Sequence, residues 1–136
     1  MREARIVSGV APSEIIVSET GYRRPFASLI AVDIEKGRAL EVSLTSSDAV
    51  ELLDALVSVF WRGTDRALER IEREGAEQRK KLEDERISEG YKEGVRRTLE
   101  DLEKERVRVE QIRRTLAELT ADIEALKELV ERARYL

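Results

Sequence analysis

From Glu3 to Leu44 the apolar residues follow strand spacing. The runs EARIVSGV, EIIVS, FASLIAVDI and RALEVSL are rich in β-branched residues and are separated by turn-forming stretches. Ala11, Pro12 and Ser13 break the first pair. In the third run Ile30, Val32 and Ile34 alternate with Leu29 and Ala31, so both sides are apolar and the strand is expected to be covered on both faces. In the fourth, Leu40, Val42 and Leu44 alternate with Glu41 and Ser43. Side-chain parity favours a three-residue loop Glu35-Lys36-Gly37, pairing Ile34 with Arg38, Val32 with Leu40 and Ile30 with Val42.

At SSDAVELLDALVSVFW the period changes to that of a helix. Ser47 or Asp48 is the expected N-cap, with Glu51 three residues past Asp48. Val50, Leu53, Val57 and Phe60, joined by Leu52, Leu56 and Trp61, form a broad apolar face over about four turns, expected to lie on the sheet. Four strands and one helix make a marginal core at this size, one that calls for support from the C-terminal half or a second copy.

Beyond Gly63 the chain is charged and helical. Apolar residues are sparse up to Ser88, and GYKEG, from Gly90 to Gly94, is expected to interrupt the helix, with one continuous rod as the alternative. A heptad follows: Val95, Leu102, Val109, Leu116, Ile123 and Val130 occupy a, while Ile112, Leu119, Leu126 and Ala133 occupy d. Thr98 and Glu105 break the early d positions, so the seam is strongest from Val109 onward. Self-association through this seam is favoured over packing within one chain. A parallel pair sets Arg108 against Arg113 and Asp122 against Lys127, so the flanking charges give no consistent orientation.

These patterns predict an α+β chain: a small antiparallel sheet with a packed helix, then long C-terminal helices forming a leucine-zipper coiled coil. Residues 1–63 read as a small nucleic-acid-binding domain, 64–94 as a charged helix and break, and 95–136 as an oligomerisation helix.

Composition narrows the chemistry. The chain has 136 residues, 40% of them charged and 4% aromatic, and no Cys or His. Disulfides and imidazole or thiolate catalysis are thereby excluded, and no metal or cofactor is expected. The net charge of −4 requires any nucleic-acid contact to use a local basic surface. Abundant Glu, Lys and Arg with a single Met fits the habit of hyperthermophile proteins. With no leader-like start and no membrane-length apolar run, a cytoplasmic protein is expected. The carboxylates fall on charged helix faces, Asp33 reads as a residue of the sheet margin, and no phosphate-binding loop is present, so no enzyme is expected. Arg62, Arg66, Arg70, Arg73 and Lys80 share a helix quadrant with Glu69, Glu77 and Asp84, which favours a salt-bridged face over a phosphate track.

GYRRPF, from Gly21 to Phe26, is different because no acid interrupts it. Tyr22 and Phe26 can stack on bases, while Arg23 and Arg24 can stack or neutralise phosphate. Trp61 and Arg62 form a second aromatic-basic pair, and Lys36 and Arg38 add positive charge. The competing reading has Phe26 and Trp61 in apolar packing and the arginines solvated. GYRRPF, the helix SSDAVELLDALVSVFW and the repeat Val109, Leu116, Ile123, Val130 together resemble the ThermoDBP-related single-stranded-DNA-binding proteins of thermophilic archaea. The resemblance implies non-catalytic binding of single-stranded DNA with little sequence preference and assembly through C-terminal helices. The expected partners are single-stranded DNA, or RNA, and the chain itself as a homodimer or homotetramer. A structural adaptor for a protein partner and a prefoldin-like holdase are the alternatives.

Overall fold

The computed structural model describes residues 3–19 and 27–133, and the side chains of that range up to Arg132. It holds four strands, β1 (Glu3–Val7), β2 (Ser13–Glu19), β3 (Ala27–Asp33) and β4 (Arg38–Leu44), followed by two helices, α1 (Ser46–Glu83) and α2 (Glu89–Ala133). All four strands expected from the apolar spacing are present. They form one antiparallel sheet in the order β1-β2-β3-β4, so each strand pairs with its neighbour in sequence. The chain divides into two compact units, Met1–Leu53 with Glu124–Leu136, and Asp54–Ile123.

The β3–β4 register differs from the expected one by one residue. Asp33 pairs with Arg38, Ala31 with Leu40 and Leu29 with Val42, leaving a four-residue turn from Ile34 to Gly37. The cause is local: Asp33 Oδ1 accepts the Lys36 N–H at 3.2 Å, and Gly37 takes the left-handed conformation with φ of 62°. One face of the sheet then carries Ile6, Ile15, Ala31 and Leu40 in a row across the strands, and the row Arg5, Ile16, Ile30, Glu41 lies on the other. On that second face Arg5 pairs with Glu3 and Glu14, and Ser28 Oγ donates to Glu41 Oε1 at 2.6 Å.

Helix α1 starts earlier than expected. Thr45 is its N-cap, in a reciprocal capping box: Thr45 Oγ1 accepts the Asp48 N–H at 3.2 Å and Asp48 Oδ2 accepts the Thr45 N–H at 3.0 Å. The helix does not stop at Gly63 but continues to Glu83, 38 residues in all. A mid-helix glycine costs only about 1 kcal/mol, and the good helix formers on both sides outweigh it. The break expected at Gly90–Gly94 lies instead at residues 84–88. There Asp84 Oδ1 accepts the Arg86 N–H, and Ser88 Oγ accepts the Tyr91 N–H, which makes Ser88 the cap of α2. Both glycines therefore sit in the opening turns of a helix that Ser88 has already started.

In the second unit the two helices run antiparallel. Ile71, Leu102 and Val109 form its buried cluster, with Ala67, Leu68 and Leu99 packed against them. Arg70 bridges to Glu105 and Arg113 to Asp65 across the pair. Among the described residues, no helix is long and apolar enough to cross a membrane.

Candidate nucleic-acid interface

Tyr22, Arg23, Arg24 and Phe26 lie outside the described residues. They belong to the segment joining Glu19 of β2 to Ala27 of β3, two residues that face each other in the sheet register. Lys36 and Arg38 are at the other end of β3, beside Asp33. Seven strand residues separate those ends, a run of about 20 Å. The sheet thus places Lys36 and Arg38 a strand length away from the anchor points of the aromatic segment. There they border an open concavity of about 750 Å³ over Ile15, Ala31 and Leu40, with Glu35 and Asp33 on the same rim. Asp33, as expected, is a margin residue, holding the turn.

Trp61 and Arg62 sit in the middle of α1 rather than at a helix end. The Arg113 guanidinium lies 4.6 Å from the centre of the Trp61 ring. Arg113 Nε donates to Thr64 Oγ1 at 2.9 Å, its other end pairs with Asp65, and Thr64 Oγ1 donates to the Trp61 carbonyl at 2.6 Å. Buried Thr64 is therefore the fixed point that holds a cation over the indole. Trp61 still has 36% of its surface exposed, and with Arg62, Ser58 and Thr120 it lines a hollow of about 280 Å³. Arg113 is a member of this site that heptad reasoning assigned to the seam. No local sequence signal identifies it, because its partners lie about fifty residues away in the chain.

The heptad residues divide into two sets. Val95, Leu102, Val109, Leu116 and Ile123 are all buried, whereas Ile112, Leu119 and Leu126 are 50%, 43% and 40% exposed. Val130 is half-buried, and the side chain of Ala133 lies outside the described set. The a row is thus consumed within the chain, as the α1 contacts of Leu102 and Val109 show in the second unit. The d row stays open.

Arg70 is held above its ordinary value chiefly by the charge of Glu105, and also by its hydrogen bond to Glu74. Glu103 is held below the ordinary carboxylate range by its hydrogen bonds from Arg106, at 3.0 and 2.5 Å. These are exposed ion pairs of helix surfaces. Of the basic quadrant of α1, Arg70 is ion-paired, but to Glu74 and Glu105 rather than to the acids Glu69, Glu77 and Asp84 that share its quadrant. No group of three or more carboxylates able to hold a metal ion occurs among the described residues. No protein-family model matches the chain, and neither a curated protein nor a solved structure matches it.

Proposed function

We propose that the chain is a non-catalytic single-stranded-DNA-binding subunit that works as a homo-oligomer. The observation that supports this reading most directly is the placement of GYRRPF as the connection between two paired strands, with two rings, two guanidinium groups and no acid. Stacking a base on such a ring contributes about 1 to 3 kcal/mol and needs no particular base, so the segment suits a strand of any sequence. Trp61 with Arg62 gives a second aromatic-basic surface, and Lys36 and Arg38 a third patch of positive charge. Three modest surfaces per subunit gain strength by being repeated. Joining copies through a coiled-coil seam that includes Ile112, Leu119 and Leu126 raises the effective concentration of each surface for the next stretch of strand.

The test is fluorescence anisotropy with a labelled oligothymidylate at several salt concentrations. Binding is expected to weaken with salt, and the double variant Arg23→Glu, Arg24→Glu is expected to lose about tenfold or more in affinity. Salt-independent binding, or affinity untouched by the double variant, contradicts the reading. An RNA oligonucleotide in the same assay settles the preferred strand. One observation favours the protein-partner alternative: Ile6, Leu40 and Val42 are 57%, 67% and 42% exposed on one sheet face. A subunit that ignores all oligonucleotides but loses a protein partner when the strands are removed is that adaptor.

A further inference from the structure

The open d row of α2 is half of a larger surface. Leu56, Gly63 and Arg70 follow one another at seven-residue spacing on α1, and Glu105, Ile112 and Leu119 do so on α2. Arg70 and Glu105 are ion-paired, so the two rows lie on the same side of the antiparallel helices. One turn-pair further along, Gly63 stands opposite Ile112, and then Leu56 opposite Leu119. Trp61, Arg113 and Thr64 mark the other side. The helix pair therefore has two sides of unlike chemistry. The first holds Leu56, Val59, Phe60, Ile112 and Leu119 at 46%, 56%, 60%, 50% and 43% exposure, around a glycine with nothing near its Cβ position.

We propose that this side is an isologous interface with a second copy of the chain, built from both helices and centred on Gly63. It deepens the assembly half of the proposed function and does not depend on the nucleic-acid half. Residues 55–61, ALVSVFW, contain no charge in nearly two turns, and a helix that is apolar nearly all round belongs inside a bundle. The chain's own α2 covers only one side of it. The five side chains expose roughly 500 Å² of apolar surface, taking about 200 Å² for a large side chain when free. With their polar surround this approaches the roughly 800 Å² per partner of a stable interface. A second copy offers the same two heptad-spaced rows, and a helix pair that keeps its a row for itself and gives its d row to a neighbour is half of a four-helix bundle. Covering this side leaves Trp61 and Arg62 free on the other, so assembly and strand binding do not compete.

Gly63→Gln is the discriminating variant. In one subunit the new Cβ meets nothing within 4 Å, and glutamine has a higher helix propensity than glycine, so helicity by circular dichroism is expected to hold or rise. In the dimer it enters the contact, and sedimentation equilibrium is expected to show dissociation at least tenfold easier than for the unaltered protein. Leu56→Glu is expected to give monomer throughout the micromolar range. A Gly63→Gln protein that dimerises as tightly as its parent overturns the inference, and so does an unaltered protein that is monomeric at all concentrations. If that monomer binds oligothymidylate and Leu56→Glu abolishes the binding, the occupant of the face is the strand's bases rather than a second copy. Conversely, an intact Gly63-dependent dimer that ignores oligonucleotides removes the nucleic-acid reading and leaves the interface standing.

Discussion

The two compact units make unlike use of their apolar residues. In Asp54–Ile123 a heptad row is buried along the helix, from Val95 at 4% to Ile123 at 4% exposure, with Ile71 opposite. In the sheet the only buried side chain among the described residues is that of Ser28, and no apolar strand residue is buried. The strands are nevertheless well paired, with complete registers between each neighbouring couple. Pairing satisfies backbone groups one strand at a time, but a four-stranded sheet stays half solvated unless something covers it. The helix pair can bury a row within one chain because residues spaced by seven meet a second helix of the same period. Strand hydrogen bonds thus order the first unit, whose one buried apolar side chain among the described residues is Val50 of α1, whereas the helix pair buries a whole row of them.

The largest expected effect tests that contrast directly. Leu102→Ala empties a site inside the buried cluster and is expected to lower stability by about 2 to 5 kcal/mol. Leu40→Ala, on a side chain that is 67% exposed, is expected to change it by no more than about 0.5 kcal/mol. Urea denaturation of the two variants at one protein concentration gives both numbers. Equal losses would mean that the sheet face is covered in solution by a partner, which would turn the contrast into a property of the single subunit alone.

A smaller effect sharpens the comparison at the junction between strand and helix. Thr45 follows β4 directly and caps α1, accepting the Asp48 N–H. Thr45→Ala removes one of two reciprocal bonds and is expected to cost about 1 kcal/mol. The midpoint of thermal unfolding measures it. An unchanged midpoint would show that the first turns of α1 do not contribute to the stability of the sheet-bearing unit.

What was legible in the chain follows the range of the forces involved. The four strands were readable because alternation and turn residues are local. The β3–β4 register was not, since it turns on whether Asp33 or Ile34 closes the loop, and one side-chain hydrogen bond from Asp33 to Lys36 decides it. The a row was readable as an apolar stripe, but what covers it was not. A seven-residue repeat specifies a facing helix without saying whether that helix comes from the same chain, and here Ile71 and Ala67 of α1 take the a side. Gly63 and Gly90 misled in the same way, because glycine weakens a helix by an amount that a cap or a long favourable flank exceeds. For the candidate site, Trp61 and Arg62 could be named as an aromatic-basic pair from their own composition. Arg113 and Thr64, which position the ring, became visible only when the two helices were placed side by side.

The smallest expected effect is the loss of stability in acid, and its sign is fixed by three carboxylates. Asp48 is held below its ordinary range by hydrogen bonds from Thr45, first the backbone N–H and then the hydroxyl. Asp84 is lowered by hydrogen bonds from Arg86, the side chain first and then the backbone, and Glu103 by those from Arg106. A group whose folded-state value is depressed stabilises the fold fully above its unfolded value, and that stability disappears as the pH drops through the folded value. All three contributions are therefore intact at neutral pH and fade below the ordinary carboxylate range. Because the groups are exposed, each contribution is small, and added salt reduces the ion-pair part of it for Glu103 more than the capping bonds that the Asp48 carboxylate accepts from uncharged donors. Urea midpoints measured from pH 7 down to pH 2 should fall only at the acid end. Asp48→Asn should flatten part of that fall in both low and high salt, whereas Glu103→Gln should flatten it in low salt only. A fall that the Asp48 variant leaves unchanged would mean that the acid sensitivity belongs to the helix pair and not to the capped start of α1.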